Sequence, residues 1–219
     1  PDHFQFEGIR ARILHLGLPG LHEQMDKPWN GDPSGWVTVL KGARAAGIKT
    51  NLEMCSLPAP RLLEVVAPCL GHLDYLIIND FEVAALSQRP IRHGEDVDLR
   101  DCLANAKDVF DRSSVELLVV HFPRGAIAMQ RGADPLVTSS VAVPKEAIAG
   151  SNGAGDAFTS GILYGMHQGW RLRDALQLAH AAAAASMRHI GTTDSIERWQ
   201  DCLALAKVYG SRAELEFPA

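Results

Sequence analysis

The sequence predicts an α/β fold in three layers, with a mainly parallel central sheet covered by helices on both faces. Three observations carry this. Short β-rich runs alternate with longer amphipathic runs, the pattern of βαβ units. DYLIIN (74–79) is apolar enough to be a strand buried on both sides. A chain of 219 residues, 47% apolar and 21% charged, has the size and balance of one ordinary α/β domain, taken as 1–219.

The elements follow in order. ARILHLG (11–17) reads as a strand, and a polar Pro/Gly-rich loop runs on through Asp32. Ser34 caps a helix over GWVTVLKGARAAG that ends at Gly47. IKTNLEM (48–54) is a strand, and PRLLEVVAPCL (60–70) is a helix with proline in its first turn. DYLIIN passes directly into the helix DFEVAALS (80–87). A polar stretch, Gln88 to Asp98, precedes the helix LRDCLANAKDVFDR (99–112). Three strands are next, VELLVVHF (115–122), AIAMQ (126–130) and LVTSSVAV (136–143), the last two joined by a hairpin-like turn at Arg131–Asp134. The final third is helical: AFTSGILYGMHQG, RDALQLAHAAAAASMRHIG and SIERWQDCLALAKVY.

Several function classes are disfavoured. A net charge of −5 gives neither a nucleic-acid footprint nor a polybasic membrane patch. The longest apolar run, His180–Met187, is too short to cross a bilayer, and no signal-peptide pattern opens the chain. Cys55, Cys69, Cys102 and Cys202 are scattered without a CxxC pair, which points to reduced thiols and a cytoplasmic setting. Nine histidines form no HExxH, and His180 and His189 do not share a helical face. No GxGxxG follows the first strand, which argues against a dehydrogenase.

Ligands of open parallel sheets collect at strand carboxyl ends, beside helix N-termini. The richest such stretch is GSNGAGDAF (150–158). Its small residues let a backbone approach an anion, and the following helix offers unpaired N–H groups and the positive end of its dipole. Asp156 would repel that anion, unless it takes a proton from a hydroxyl that attacks a bound phosphoryl group. As a simple helix-start acid Asp156 is also explained, but then the slenderness of Gly153, Ala154 and Gly155 is not.

NGAGDAFTSGIL resembles the C-terminal signature of the PfkB/ribokinase family of carbohydrate kinases, D-T-T-G-A-G-D-x-F-x-x-G. Gly153, Ala154, Gly155, Asp156, Phe158 and Gly161 match. The resemblance implies a ribokinase-like α/β/α fold, an anion hole at Gly153, Ala154 and Gly155, and Asp156 as catalytic base. Asn79-Asp80-Phe81-Glu82 is similar to the family's N-x-x-E, which implies that Asn79 and Glu82 organise Mg²⁺ through water. Hard oxygen donors suit that ion. The segment 173–196 resembles the alanine-rich helix flanking the adenine pocket, and Arg124, Gly125 and Asn152 are carried over as nucleotide-binding.

Three departures qualify the resemblance. The first Asp of D-T-T is Gly150, followed by Ser151 and Asn152, which argues against the family's monovalent-cation site. The usual V-T-x-G-x-x-G-A keeps Gly125-Ala126 but has Val120 and Phe122, with Arg124 left as a phosphate-facing cation or an ordinary turn arginine. The chain begins at Pro1 and contains no Gly-Gly, so it corresponds to the later two-thirds of a family member, with the N-terminal strands and lid largely missing.

The resemblance implies transfer of the γ-phosphoryl of Mg-ATP to a hydroxymethyl group of a sugar or sugar-like acceptor. Alternatives are a nucleotide- or sugar-binding regulator on the same scaffold, or a kinase for a nucleoside or hydroxymethylpyrimidine. The expected partners are the small-molecule acceptor, ATP and a second copy in a homodimer.

Overall fold

The computed structural model describes residues 1–92 and 97–217; part of the polar stretch expected at 88–98 lies outside the described residues. Six strands, β1 (Ile13–Leu16), β2 (Lys49–Leu52), β3 (Tyr75–Asn79), β4 (Leu117–Phe122), β5 (Gly125–Gln130) and β6 (Leu136–Ser139), form one sheet in the order β1-β2-β3-β4-β5-β6. The first four are parallel, with Leu14 opposite Thr50, Tyr75 opposite Leu117 and Asn79 opposite His121. Pro123-Arg124 alone links β4 to β5, a connection too short for anything but an antiparallel return. The helices are α1 (Glu23–Asp26), α2 (Gly35–Ala45), α3 (Ala59–Val66), α4 (Asp80–Ser87), α5 (Leu99–Arg112), α6 (Ala154–Gln168), α7 (Leu172–Ser186) and α8 (Trp199–Tyr209). Leu76, Ile77 and Ile78 are buried in succession, as are Leu117 to Val120, so β3 and β4 are covered on both faces. This mixed α/β sheet is the fold class expected from the sequence.

The described chain falls into two compact units. The first comprises residues 1–122 and 127–136, and the second 123–126 and 137–216, apart from a few C-terminal residues that join the first. In the first unit α2 starts as expected, its Ser34 hydroxyl accepting from the Val37 N–H. The helix expected over 60–70 stops at Val66, because Pro68 has no N–H to continue the ladder and the chain tightens into a 3-10 turn over Ala67–His72. Buried Asp74 ties β2 to the start of β3 by accepting from the Thr50 N–H at 2.9 Å. Arg131 fixes the expected turn after β5: its guanidinium stacks on Phe110 and donates to the carbonyls of Phe110 and Val115.

In the second unit α6 packs along α7. A Cβ on Gly161 would lie 2.5 Å from Ala179 Cα, so the absence of a side chain is what lets the two helices approach. α6 starts at Ala154, three residues before the expected Ala157, and three other boundaries differ by four residues or more. The strand expected to Val143 ends at Ser139, and Val141 instead bridges to Ser211 of the C-terminal segment. The alanine-rich helix ends at Ser186, not Gly191. The last helix starts at Trp199 rather than Ser195, because residues 195–197 are bonded back to the end of α7: Ser195 Oγ donates to Ala185 O at 2.6 Å, and Arg188 pairs with Glu197 at 3.0 Å. No helix of the described residues is long and apolar enough to cross a membrane.

Candidate functional site

In the second unit, the backbone at residues 150–156 is shaped by its neighbours. Gly153 caps α6 in the left-handed region (φ 78°), and a Cβ there would lie 2.9 Å from both Cβ and O of Thr192. Only glycine satisfies both demands. Ala154 N–H bonds to Ser151 O and Ala157 N–H to Gly153 O, but among the described residues the N–H groups of Gly155 and Asp156 have no acceptor. Two free donors thus stand at the positive end of a fifteen-residue helix. Asp156 is exposed and has no hydrogen-bond or ion-pair partner among the described residues. The arrangement offers an anion seat with an unencumbered carboxylate at its edge. Asn152 is exposed beside it.

Arg124 and Gly125 sit at the β4–β5 turn. Arg124 is half-buried, and its carbonyl accepts from Ser140 N–H at 2.8 Å. A Cβ on Gly125 would collide with the carbonyl oxygen of Thr138 and with Leu215, so packing against β6 already requires glycine. Also within this unit is a pocket of about 510 Å³, lined among others by Thr138, Val141, Arg173, His180, Lys207 and Arg212. His180, 7% exposed, bonds Thr138 Oγ1 through Nε2 at 2.9 Å and meets the Phe158 ring edge-on at 5.1 Å. Sequence reasoning set His180 aside, since its partners lie on other elements; its place in an alanine-rich run was the available signal.

In the first unit, Asn79 and Glu82 form a reciprocal capping box: Glu82 N–H donates to Asn79 Oδ1 and Asn79 N–H to Glu82 Oε2, both at 2.9 Å. The box turns both side chains toward the carboxyl end of β3. Beside it, Asp80 is only 4% exposed, and across the ladder stands His121. Burial pushes the His121 imidazole down to about 4, with Asp80 opposing the shift. The Cys55 thiol is raised, chiefly by burial and further by the Glu82 carboxylate, which sets Cys55 in the same neighbourhood.

A second polar group, not anticipated from the sequence, lies at the ends of β1 and β2. His15 Nδ1 is 2.8 Å from Asn51 Nδ2, and His15 Nε2 is 3.4 Å from Glu53 Oε2. Asn51 is fully buried and its Oδ1 has no hydrogen-bond partner. His15, Glu53, Asn79 and His121 therefore mark the carboxyl ends of four consecutive parallel strands, where this class of sheet receives ligands. No cluster of three or more His, Cys, Asp or Glu suited to a metal occurs among the described residues. A hard ion at Asn79 and Glu82 would have to keep most of its waters, as Mg²⁺ commonly does.

The family model of the pfkB family carbohydrate kinases matches residues 31–199. ATP-dependent 6-phosphofructokinase isozyme 2 of Mycobacterium tuberculosis is 35% identical over 107 residues, 47% of this chain and 30% of that protein. Adenosine kinase of Schizosaccharomyces pombe is 30% identical over 163 residues, 71% of this chain and 47% of that protein. The chain thus spans less than half the length of these relatives. Among solved structures, Arabidopsis thaliana ribokinase complexed with ribose and ATP superposes with a TM-score of 0.64 at 21% identity, covering 78% of this chain and 52% of that one. Escherichia coli phosphofructokinase-2 in complex with potassium gives 0.63 at 18% identity, with the same coverage of both chains. The structural likeness, at this identity, is one of fold.

Proposed function

Since this chain belongs to the pfkB family of carbohydrate kinases, we propose that it carries the phosphoryl-transfer half of a kinase acting on a hydroxymethyl group of a sugar or sugar-like acceptor. The observation that supports this most is the pairing of an exposed, unpartnered Asp156 with the free N–H groups of Gly155 and Asp156. Asp156 accepts the proton as the acceptor oxygen bonds to the γ-phosphorus, and the bond to the β–γ bridging oxygen breaks so that ADP leaves with that electron pair. The N–H groups, with the slender Gly153 and Ala154 behind them, stabilise charge on the transferring phosphoryl oxygens. Arg124, Gly125 and Asn152 would border the nucleotide, and the pocket beside His180 is the place in this unit for its base.

Asn79 and Glu82 would hold Mg²⁺ through water, the capping box fixing their orientation. When bound, the ion neutralises phosphate charge. Free thiols at all four cysteines suit a cytoplasmic setting.

General-base assistance of this kind contributes about 10²–10⁴ in rate. Asp156→Asn should therefore lose that much kcat while nucleotide affinity, read by calorimetry, stays within a few fold. Wild-type turnover in Asp156→Asn would remove Asp156 from the mechanism. A second reading, a nucleotide- or sugar-binding regulator, is favoured by Val120 and Phe122 at the end of β4. A panel of sugars, sugar phosphates and nucleosides with Mg-ATP separates the two: nucleotide binding without any phosphorylated product supports the regulator. The nucleosides belong in the panel because of the adenosine kinase likeness.

A further inference from the structure

The family resemblance brings with it a monovalent cation near the catalytic loop, held in part by a carboxylate that this chain replaces with Gly150. The backbone shows where that carboxylate would have pointed. A Cβ at 150 would lie 3.7 Å from His189 O and 3.8 Å from Ile190 Cα, so it would face the turn that follows α7. The loop is tied to the same turn, with Ala149 N–H donating to Met187 O at 2.9 Å and Gly150 N–H at 3.3 Å.

That turn contains a cation of its own. Arg188 donates through Nη2 to Ser195 O at 3.1 Å and pairs with Glu197 at 3.0 Å, while its Nε approaches Ala185 O at 3.4 Å. Ser195 Oγ donates to Ala185 O at 2.6 Å and lies 3.1 Å from Ser186 O. The carbonyl oxygens at 185, 186 and 195 thus already have protein donors. The carboxylate remaining in the turn, Asp194, is mostly exposed and sits 3.3 Å from His189 Nδ1. A bare alkali ion needs several inward-facing oxygens and compensating negative charge, whereas here the carbonyls at 185, 186 and 195 are taken, Glu197 is paired with Arg188, and Asp194 is mostly exposed beside His189. They do not fit a resident monovalent cation.

We infer that the Arg188 guanidinium takes that cation's place. It is permanently charged, and its planar fork makes charge-assisted bonds from the end of α7 to residues 195–197. The stiffened segment includes Thr192, against which Gly153 rests, so Arg188 acts as a positioning residue for the N–H groups of Gly155 and Asp156. The chain then needs neither K⁺ nor Na⁺ to hold its phosphoryl seat. The effect on turnover rests on the kinase reading; the effect on stability does not.

The test compares thermal unfolding and phosphoryl transfer in KCl, NaCl and choline chloride at equal ionic strength, for the wild type, Arg188→Lys and Arg188→Met. In the wild type, Tm should agree within about 1 °C and rate within about twofold across the three salts, since nothing binds the folded state specifically. Arg188→Met should lose about tenfold or more in kcat with a smaller rise in nucleotide KM, and Arg188→Lys should recover part of it. A saturable rise in wild-type Tm or rate with K⁺ or Na⁺ over choline overturns the inference, as does an Arg188→Met protein with unchanged kcat. Should no salt support phosphoryl transfer, the kinase reading fails, while the melting series still decides the cation question.

Discussion

Replacing Gly161 by alanine sets helix propensity against packing, and the structure says which wins. In the middle of a helix, alanine is favoured over glycine by roughly 0.8–1 kcal/mol. Against this, the added Cβ would lie 2.5 Å from Ala179 Cα, 2.7 Å from Ala179 N and 3.0 Å from Leu178 C. All three are backbone atoms of α7 and cannot rotate away. Ordinary carbon contacts lie near 3.5–4.0 Å, so the helices must part by roughly 1 Å. Parting them loosens buried Phe158, Ile162, Leu176 and Ala179. Overpacking costs about 1–3 kcal/mol, and an obstacle made of backbone belongs at the upper end. The net loss is about 1–2 kcal/mol, or a fall in Tm of about 2–8 °C for a chain of this length.

Position 161 lies on the same helix as Asp156, little more than one turn away, so the strain reaches the proposed base. A displacement near 1 Å there should lower kcat by up to ~10²-fold. Circular-dichroism melts, urea titrations and turnover together read the effect. Gly71→Ala is the control: its Cβ meets nothing within 4 Å, and Tm should stay within about 1 °C. A Gly161→Ala protein as stable as the wild type, or more so, would refute the reasoning, because propensity would then have outweighed contact with α7.

Asn79→Ala removes one arm of the capping box and should cost about 1 kcal/mol, while raising the Mg²⁺ needed for half-maximal rate; no change in either quantity sinks both roles. His121 should make stability pH-dependent. Its folded pKa is lowered to about 4 from 6.5, so the unfolded ring protonates first as pH falls, and stability is complete above about 6.5 and declines toward pH 4. The loss is at most about 3 kcal/mol and is smaller to the extent that His121 keeps solvent access; His121→Gln should flatten the stability–pH curve there, and an unchanged slope would count against it. The Cys69 and Cys102 thiols are pushed up to about 12 by burial, so a thiol reagent at pH 8 should reach them only after unfolding. Rapid native-state labelling of either would contradict the burial.

What the sequence settled alone were features whose cause is local. α4 and α5 begin where the sequence places them because Asn79 and Asp98 cap them from adjacent positions. The reciprocal Asn79–Glu82 bonds follow from a three-residue spacing, and the run GAGD, as cap and first turn of α6, leaves N–H groups free beside a carboxylate on the same turn. The tertiary structure decided what depends on partners distant in the chain. Gly153 is required by Thr192, and Gly125 by the Thr138 carbonyl, contacts that no periodicity announces. α8 starts late because Arg188 and Ser195 bind the preceding turn to α7, although the apolar spacing favoured an earlier start. His15, Asn51 and Glu53 meet because parallel pairing puts His15 opposite Asn51, and His180 acquires its pocket from β6, α7 and α8 together. Spacing along one element predicts which residues share a face; which faces then meet is set by close packing across the whole chain.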